Sequence, residues 1–475
     1  MHSHSHRGLT LVSSRAVRAA GVCAALLLAG CAGPRYARPD VPVPPAYRGD
    51  SSAPSVSNAA GNNAARSYGE LRWQDLIHDE ELSNLIQEAL AHNFDAQIAA
   101  ARVLEARAQL TVTRSARFPS LDAQGSYNNS QLTGFDTDAT GLAVSSGWEL
   151  DLWGKVRSTT AAARAALLAS EEARRAVLQT LVGDVADAYF LLRDLDLELE
   201  ITRRALKLRE DSLDLVRLRV DNGYSTEIEL HQAEVLVKGA HTALTGLELQ
   251  TEQTENQLAI LLGRNPGPIA RGRSLAEQEL AVSLPPGLPS ALLDRRPDIR
   301  QAEQQLIGDH NLVVAARAAF FPDLSLTATG GFASSALLNL VNTPNATWSF
   351  GPVVNLPIFH AGAIRAGVRA AEARRQESLV AYRKTVQEAF REVADSLAAH
   401  RKLAELRSQQ EGLVESLRQG VELADLAYKG GVVSYLEYLD SERQLLDAEL
   451  LLVQVRRQEL SNVVTLYRAL GGGWQ

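Results

Sequence analysis

The second half of this sequence repeats the first, and that repeat limits the architectures open to the chain. At a constant offset of 208 residues, the matching pairs are Val185-Ala186-Asp187 with Val393-Ala394-Asp395, Asn222-Gly223 with Gly430-Gly431, and Leu262-Gly263 with Leu470-Gly471. Upstream, Phe118-Pro119 matches Phe321-Pro322 at an offset of 203, so the loops between differ in length. The chain therefore contains two copies of one unit.

The placement of proline predicts what each unit contains. None of the 17 prolines lies within 120–265 or 358–475, and these stretches are rich in residues that favour long helices. Each unit is predicted to hold a helix, two strands, a very long helix, a glycine-containing turn and a shorter helix. The predicted helices are 79–117, 155–220, 226–262, 297–319, 362–427 and 434–469.

Apolar residues at seven-residue steps predict how the long helices pack. One seam is Leu192, Leu199, Leu206, Leu213 and Val220, and a second beside it is Ile201, Leu208 and Leu215. Two seams suit a helix with neighbours on both sides, as in a wall of coiled coils. A simple two-stranded coiled coil would explain the seams but would not explain the strands.

Four segments are predicted as strands: 119–130, 140–153, 322–332 and 346–359. Apolar residues alternate with small or polar ones in each, and tryptophans at 148, 153 and 348 lie in the strands or at their ends, as in transmembrane barrels. A soluble half-buried hairpin would show the same alternation without the aromatic residues. Four strands cannot close a barrel, and lipid forbids open edges, so three copies would supply twelve strands.

Composition argues against several other functions. The formal net charge is −8 and no basic stripe is present, so no nucleic-acid partner is expected. No Gly-rich phosphate loop, no Gly-x-Ser-x-Gly motif and no histidine cluster of zinc type occurs after residue 31, so no enzyme, cofactor or metal site is expected. Met1 is the only methionine, which weighs against a thioether copper relay.

The N-terminus has the features of an export signal. Arg7, Arg15 and Arg18 precede an apolar run that ends in Leu28-Ala29-Gly30-Cys31, and the run is too short to span a bilayer. That ending resembles the bacterial lipobox, which implies cleavage before Cys31, lipidation of its thiol with palmitate and, because Ala32 follows, delivery to the outer membrane. Residues 31–70 are predicted to form an extended anchored segment with little core of its own.

Several stretches resemble the TolC-type outer-membrane efflux proteins, in their lipoprotein (NodT-like) branch. They are Trp73 to Asp95, Glu149 to Lys155, Leu356 to Phe359 and, most specifically, Leu292-Leu293-Asp294-Arg295-Arg296-Pro297-Asp298. The resemblance runs from about Ala32 to Trp474. It implies an α+β membrane protein, a homotrimeric 12-stranded transmembrane β-barrel with four strands per chain, continued by a long α-helical coiled-coil tunnel in the periplasm.

Domain boundaries follow from the repeat and the resemblance together. We expect a lipoprotein signal peptide at 1–30, a lipid-anchored segment at 31–70, the first repeat at 71–263, an equatorial linker at 264–296, and the second repeat with the tail at 297–475.

The resemblance also implies a constriction at the periplasmic end. Asp440 and Glu437 match the acidic positions just past the second turn, and Glu229 matches the place after the first. Three-fold symmetry would bring these carboxylates together, where they would repel one another and attract cations. The turns themselves, with Asn222, Gly223, Gly430 and Gly431, would contact a periplasmic adaptor. Val433 stands where well-known members have a latching arginine.

The function expected is a passive exit duct of a tripartite efflux system, which would export drugs or other toxic small molecules. It would be a homotrimer in contact with outer-membrane lipids, a periplasmic adaptor and an inner-membrane pump. A protein-secretion or metal-efflux duct of the same fold remains an alternative. A periplasmic coiled-coil scaffold anchored by lipid alone is another.

Overall fold

The computed structural model describes residues 36–48, 71–132, 135–278 and 289–473. The helices are α1 (Trp73–Leu76), α2 (Glu80–His92), α3 (Phe94–Ser115), α4 (Lys155–Asp221), α5 (Glu227–Leu261), α6 (Pro289–Arg295), α7 (Pro297–Ala318), α8 (Ala363–Lys429) and α9 (Tyr435–Ala469). The strands are β1 (Ser120–Leu132), β2 (Phe135–Leu150), β3 (Asp323–Ser334) and β4 (Ala346–Asn355). The signal peptide, Cys31 and most of the predicted anchored segment lie outside the described residues.

The repeat is visible in the element bounds. Helices α4 and α8 both have 67 residues, and α5 and α9 both have 35, with starts 208 residues apart. At 1.5 Å per residue, each 67-residue helix is about 100 Å long. The expected order of helix, two strands, long helix, turn and shorter helix is confirmed in both copies.

One expected helix is divided. The stretch 79–117 was predicted as a single helix, but α2 ends at His92 and α3 begins at Phe94. Asn93 between them is extended, with φ −60° and ψ 133°, and its Oδ1 accepts a hydrogen bond from the Ala96 N–H at 3.0 Å. The side chain thus caps α3, because an asparagine can supply the acceptor that a helix start lacks. The single-helix prediction was wrong for this reason.

The four strands form one antiparallel sheet in the order β1-β2-β3-β4. Their register places apolar residues on one face, including Leu121, Leu142, Val144, Trp148, Leu324, Leu326, Phe332, Trp348, Phe350 and Val354. On the other face, Asp122, Ser145, Thr329 and Ser349 pair across all four strands, and Glu149 pairs with Ser325 further along the same face. The alternation predicted within each strand is therefore continuous across the sheet.

Two compact units are present in the chain. The first, here called the sheet unit, comprises residues 36–40, 104–169 and 302–382, as far as the structure describes them. The second, the helical unit, comprises the described parts of 41–103, 170–301 and 383–475. No helix among the described residues has both the length and the apolarity needed to cross a membrane.

The core of the helical unit confirms the first predicted seam. Leu192, Leu199 and Leu206 of α4 are buried, and Leu213 and Val220 pack beside a buried cluster. The second seam is divided: Ile201 is buried, whereas 53 % of the Leu208 surface is exposed. Within one copy, α4 therefore has one packed side and a partly unpacked side.

A buried aspartate ties the predicted linker to the start of the first repeat. Asp79 caps α2 and also accepts hydrogen bonds from the Arg273 N–H, the Gln278 Nε2 and the Tyr189 hydroxyl. A Cβ at Gly272 would come within 2.3 Å of Asp79 Oδ1, so only glycine fits there. These hydrogen bonds hold the pKa of Asp79 below its ordinary value, although burial acts in the opposite direction.

Residues 36–48, the described part of the N-terminal segment, contact the rest of the protein. In the sheet unit, the Arg38 guanidinium donates to Glu303 at 2.7 Å, and Tyr36 lies edge-on to His310. In the helical unit, Tyr47 is 6 % exposed. Residues 36–48 contain no helix or strand, and they make more packed contacts than the predicted lack of a core suggests.

Candidate channel constriction

The two turns between long and shorter helices have the same geometry. After α4, the Gly223 and Tyr224 N–H groups donate to Val220 and Arg219 carbonyls, and after α8 the Gly431 and Val432 N–H groups donate to Tyr428 and Ala427. This is the Schellman arrangement that ends many helices. Gly223 and Gly431 have φ of 75° and 73°, a conformation that favours glycine, and a Cβ at either would meet no neighbour. The predicted turn residues Asn222, Gly223, Gly430 and Gly431 are all exposed.

The two glutamates that follow the turns differ in their surroundings. Glu229 closes a capping box at the start of α5: its N–H donates to Thr226 Oγ1, and its carboxylate accepts from the Thr226 N–H and the Ser225 hydroxyl. At the equivalent place in α9, the Glu437 N–H donates to Ser434 Oγ at 3.3 Å. In the described part of the chain, the Glu437 carboxylate receives no hydrogen bond and is exposed.

Asp440 lies one turn beyond Glu437 on α9. Its carboxylate accepts from Arg443 at 2.8 Å and from Gln444 at 2.5 Å. These hydrogen bonds, with that from Arg443 the larger, hold the pKa of Asp440 below its ordinary value. The repulsion expected between these carboxylates concerns three symmetry-related copies and would raise the pKa, whereas within one chain the hydrogen bond from Arg443 lowers it. Its role in a constriction stays a prediction.

Three tyrosine side chains are buried in the helical unit beside these turns. Tyr428, Tyr435 and Tyr438 contact one another, with ring centroids 5.2 to 6.2 Å apart. Together with Val216, Ala233 and Leu439 they form a buried cluster, here called the tyrosine cluster, and Val433 packs against it. Val433 therefore has an apolar packing role in this chain.

Arg219 of α4 contacts the tyrosine cluster. The Arg219 guanidinium of α4 lies 4.6 Å from the centre of the Tyr428 ring, within cation–π range. Ser212 of α4 forms a hydrogen bond with the Tyr435 hydroxyl at 3.1 Å, and Tyr438 donates to Glu442. This cluster was not identified from the sequence. Three of the chain's 11 tyrosines lie within 11 residues of one another, and this local enrichment was the signal that could have identified the cluster.

An apolar groove runs between α5 and α9 beside the predicted acidic positions. Its walls include Ile228, Val235, Leu436 and Leu439, with Asp440 and Arg443 at one side, and its volume is about 530 Å³. Ile228, Val235 and Leu436 are each more than 60 % exposed. One chain by itself therefore leaves a large apolar surface uncovered next to Asp440.

Comparison with known proteins identifies the family. The model of the family described as outer membrane efflux protein matches residues 85–264 and 288–472, one segment for each repeat. This chain belongs to the outer membrane efflux protein family. The assignment confirms the resemblance found in the sequence.

Two relatives that match over almost their whole length support this family assignment. The cation efflux system protein CusC of Escherichia coli O6:H1 is 37 % identical over 458 residues, which cover 95 % of this chain and 98 % of the relative. The solvent efflux pump outer membrane protein SrpC of Pseudomonas putida is 37 % identical over 468 residues, covering 95 % and 97 %.

Solved structures give the same result for the fold. A crystal structure of CusC matches with a TM-score of 0.82 and 34 % identity, and covers 93 % of this chain and all of its own. The open state of the outer-membrane channel MtrE of Neisseria gonorrhoeae matches with a TM-score of 0.83 and 32 % identity, covering 93 % and 98 %. The chain has the fold of these outer-membrane channels, and the predicted fold class is confirmed.

Proposed function

We propose that three copies of this chain form the outer-membrane exit duct of a tripartite efflux system, through which toxic small molecules leave the cell. The observation that carries this proposal is the four-stranded sheet with one apolar and one polar face. Within the described residues, β1 and β4 each pair with one strand only, so both edges are open. Open edges are not tolerated in lipid, and three sheets joined edge to edge supply twelve strands and close the wall.

The helical unit supports association as well. Leu208 and Leu218 of α4 are 53 % and 60 % exposed, and they lie away from the seam that packs within the chain. An exposed apolar stripe on a long helix marks a surface that another helix covers. Neighbouring copies would supply that helix in a trimer.

The exposed turns are proposed as the contact surface for a periplasmic adaptor. Tyr224 is 84 % exposed and Val432 is 80 % exposed, each directly after the left-handed glycine of its turn. Large apolar side chains at such exposure are typical of binding surfaces when they lie close together on fixed turns. The predicted turn residues Asn222, Gly223, Gly430 and Gly431 would shape this surface through their backbone.

Cys31 is proposed as the lipid attachment site, on the sequence Leu28-Ala29-Gly30-Cys31. Replacement of Cys31 by Ser should abolish incorporation of labelled palmitate and leave the uncleaved signal on the protein. Replacement of Cys23 by Ser is the control, because Cys23 lies inside the apolar run and should not affect labelling. Palmitate incorporation into the Cys31→Ser protein would contradict this part of the proposal.

Glu437 and Asp440 are proposed to narrow the duct, and Glu229 to a lesser degree because its carboxylate caps α5. Carboxylates gathered around a three-fold axis favour cations over anions. In planar bilayers, Asp440→Asn and Glu437→Gln should each lower the cation selectivity of the conductance. Asp447→Asn is the matched control, since Asp447 lies two turns further on α9 and also pairs with Arg443. Equal effects of all three variants would contradict the constriction.

The deciding experiment for the function is the loss of the gene. Cells that lack this duct, and any redundant duct, should become more susceptible to at least one class of toxic compound, and the cloned gene should restore resistance. Unchanged susceptibility across drugs, dyes, solvents and metal ions would contradict the proposal.

A metal-efflux duct is the second candidate, because CusC, named as a cation efflux protein, is as similar to this chain as the solvent pump component SrpC. The absence of any methionine after Met1 argues against a chain of thioether ligands for a soft metal. Susceptibility to metal ions without susceptibility to organic compounds would favour this second candidate.

A further inference from the structure

The connection between β3 and β4, residues 335–345 and here called the apolar loop, exposes three large apolar side chains. Leu337 is 68 % exposed, Leu338 is 98 % exposed and Val341 is 69 % exposed, whereas Leu340 is buried. Exposed leucines in a contiguous group are uncommon on a surface that faces water and usually indicate an interaction surface.

The apolar loop has a defined shape. It contains two short 3₁₀ turns, Leu337–Asn339 and Thr343–Asn345. The Ala336 N–H donates to Ser334 Oγ at 3.2 Å, and the Asn345 side-chain amide donates to the Asn339 carbonyl at 2.8 Å. The loop satisfies much of its backbone internally, which is what a segment needs before it can enter an apolar environment.

Charge is absent from this whole region of the sequence. Residues 324–359 contain no Asp, Glu, Lys or Arg. The hairpin between β1 and β2 lies at the same end of the sheet, and it differs: it carries Asp136 and Asp138 in sequence. The Asp138 carboxylate accepts hydrogen bonds from Asn129 at 2.7 Å and from Tyr127 at 3.3 Å. One connection is therefore acidic and the other is apolar and uncharged.

The two connections also end at different heights. The pairing between β2 and β3 begins at Thr140 opposite Ser334, so residues 135–139 of β2 extend past the end of β3 and pair with β1 alone. Five residues of strand correspond to about 17 Å. The acidic hairpin thus projects beyond the level at which the apolar loop leaves the sheet.

The apolar loop is continuous with the apolar face of the sheet. Phe332 lies two residues before the end of β3, and Trp348 lies two residues after the start of β4 and is 84 % exposed. Both residues belong to the apolar face. Tryptophan near a strand end typically marks the boundary between hydrocarbon and water, so the loop leaves the sheet at that boundary.

We propose that the apolar loop inserts Leu337, Leu338 and Val341 into the hydrocarbon of the outer leaflet, while the acidic β1–β2 hairpin stands in water. The proposal rests on the proposed function, since it requires the sheet to form part of a barrel in the membrane. It assigns different tasks to the two connections: one anchors the outer rim of the barrel in lipid, and the other surrounds the exit.

Spin-label accessibility in phospholipid vesicles tests this assignment. Single cysteines are introduced as Leu338→Cys, Val354→Cys on the apolar face and Asp138→Cys on the acidic hairpin, and the parental chain measures background labelling at Cys31. Collision with oxygen, which concentrates in hydrocarbon, is compared with collision with a water-soluble nickel chelate. Leu338→Cys is expected to favour oxygen as Val354→Cys does, and Asp138→Cys to favour the nickel chelate.

Three results would overturn the proposal, and they have different meanings. A label at 338 that prefers nickel, with a label at 354 that prefers oxygen, places the loop in water. A label at 338 that neither reagent reaches indicates that a second copy or another loop covers it. A label at 354 that prefers nickel contradicts the proposed barrel itself. Val341→Cys repeats the measurement in case Leu338→Cys perturbs the loop.

Discussion

The two repeats join their helices at the same place with different chemistry. At the start of α3, the Asn93 side-chain amide donates to the Leu261 carbonyl, which ends α5, at 2.9 Å. At the start of α7, the Arg296 guanidinium donates to the Ala469 carbonyl, which ends α9, at 3.1 Å. The equivalent positions carry a neutral amide in the first repeat and a cation in the second.

The difference shows which property of the junction the fold requires. The last carbonyls of a helix have no partner within it and need a donor when they are buried. An amide supplies that donor alone. A buried guanidinium needs compensation for its charge, and Arg296 obtains it from Asp298 at 2.6 Å and Glu392 at 2.7 Å. Both repeats therefore have a hydrogen-bond donor at this position, although the residue type differs.

The largest expected losses of stability at the two junctions come from substitution of the glycines that follow α5 and α9. Gly263 and Gly471 have φ of 74° and 84°. A Cβ at Gly263 would lie 2.3 Å from the His92 carbonyl oxygen, whereas at Gly471 the closest atom is Arg295 Cβ at 3.0 Å. Gly263→Ala should cost about 3 kcal/mol of unfolding free energy and Gly471→Ala about 2 kcal/mol, from left-handed strain plus steric overlap.

The measurement is the thermal midpoint of the detergent-solubilised protein at one fixed concentration. Gly223→Ala is the control, because its φ is 75° but a Cβ there meets no atom within 4 Å. It should lose only the conformational part, about 1 kcal/mol. Equal losses at 263, 471 and 223 would show that packing at the junctions contributes nothing.

Removal of the donor itself comes second. Arg296→Ala leaves Asp298, Glu392 and the Ala469 carbonyl without their partner and should cost about 2–3 kcal/mol, near the lower end for a broken buried pair because both carboxylates are partly exposed. Asn93→Ala loses one hydrogen bond and the cap of α3 and should cost about 1–2 kcal/mol. Chemical denaturation of both variants measures the difference.

Arg296→Lys separates charge from geometry. A lysine keeps the positive charge but cannot hold two carboxylates and a carbonyl with one planar group. If Arg296→Lys were as stable as the parent protein, the paired guanidinium geometry would be unimportant at this junction.

Sequence alone predicted the repeated elements to within a few residues, because proline-free stretches and seven-residue steps report on helices directly. It predicted the two faces of the sheet because side chains alternate along a strand. It did not predict the break at Asn93, because a capping asparagine inside a helical pattern looks like an ordinary polar residue. The resemblance drew attention to Arg296, yet its ion pair with Glu392 and its hydrogen bond to the Ala469 carbonyl involve residues 96 and 173 positions away.

The candidate constriction was predictable only in part. Glu229 and Glu437 are equivalent by the offset of 208, and nothing in the sequence assigns the capping task to one carboxylate and not the other. Thr226 and Ser434 differ by one methyl group, and local geometry determines which glutamate turns back to the helix start.

A third difference between the repeats concerns pH. Asp194 of α4 lies buried opposite Arg457 at 2.9 Å and near Glu198, and burial raises its pKa to about 6. The equivalent position in α8 is Lys402, which is exposed and pairs with Glu405. A raised carboxyl pKa means that the folded protein binds the proton more tightly than the unfolded chain does. Stability should therefore increase as the pH falls from 7.5 to 5, by about 1–2 kcal/mol.

Asp194→Asn should flatten that pH dependence, since an amide does not titrate in this range. Lys402→Gln, at the matching position, should leave it unchanged. The thermal midpoint of the three proteins at pH 5, 6 and 7.5 gives the comparison. A parent protein whose midpoint falls steadily from pH 7.5 to 5 would contradict the predicted sign.

The smallest expected difference lies at the turns, where both repeats begin a helix with a hydroxyl cap. Thr226 belongs to a reciprocal capping box and Ser434 accepts from Glu437 only. Thr226→Ala should cost about 1 kcal/mol of unfolding free energy and Ser434→Ala about 0.5 kcal/mol.

Glu229→Gln should also reduce stability slightly, because its carboxylate accepts hydrogen bonds at the helix start, whereas Glu437→Gln should not. Hydrogen exchange at the first turns of α5 and α9 resolves effects of this size, and equal protection losses for the two glutamate variants would mean that the capping box does not distinguish the repeats.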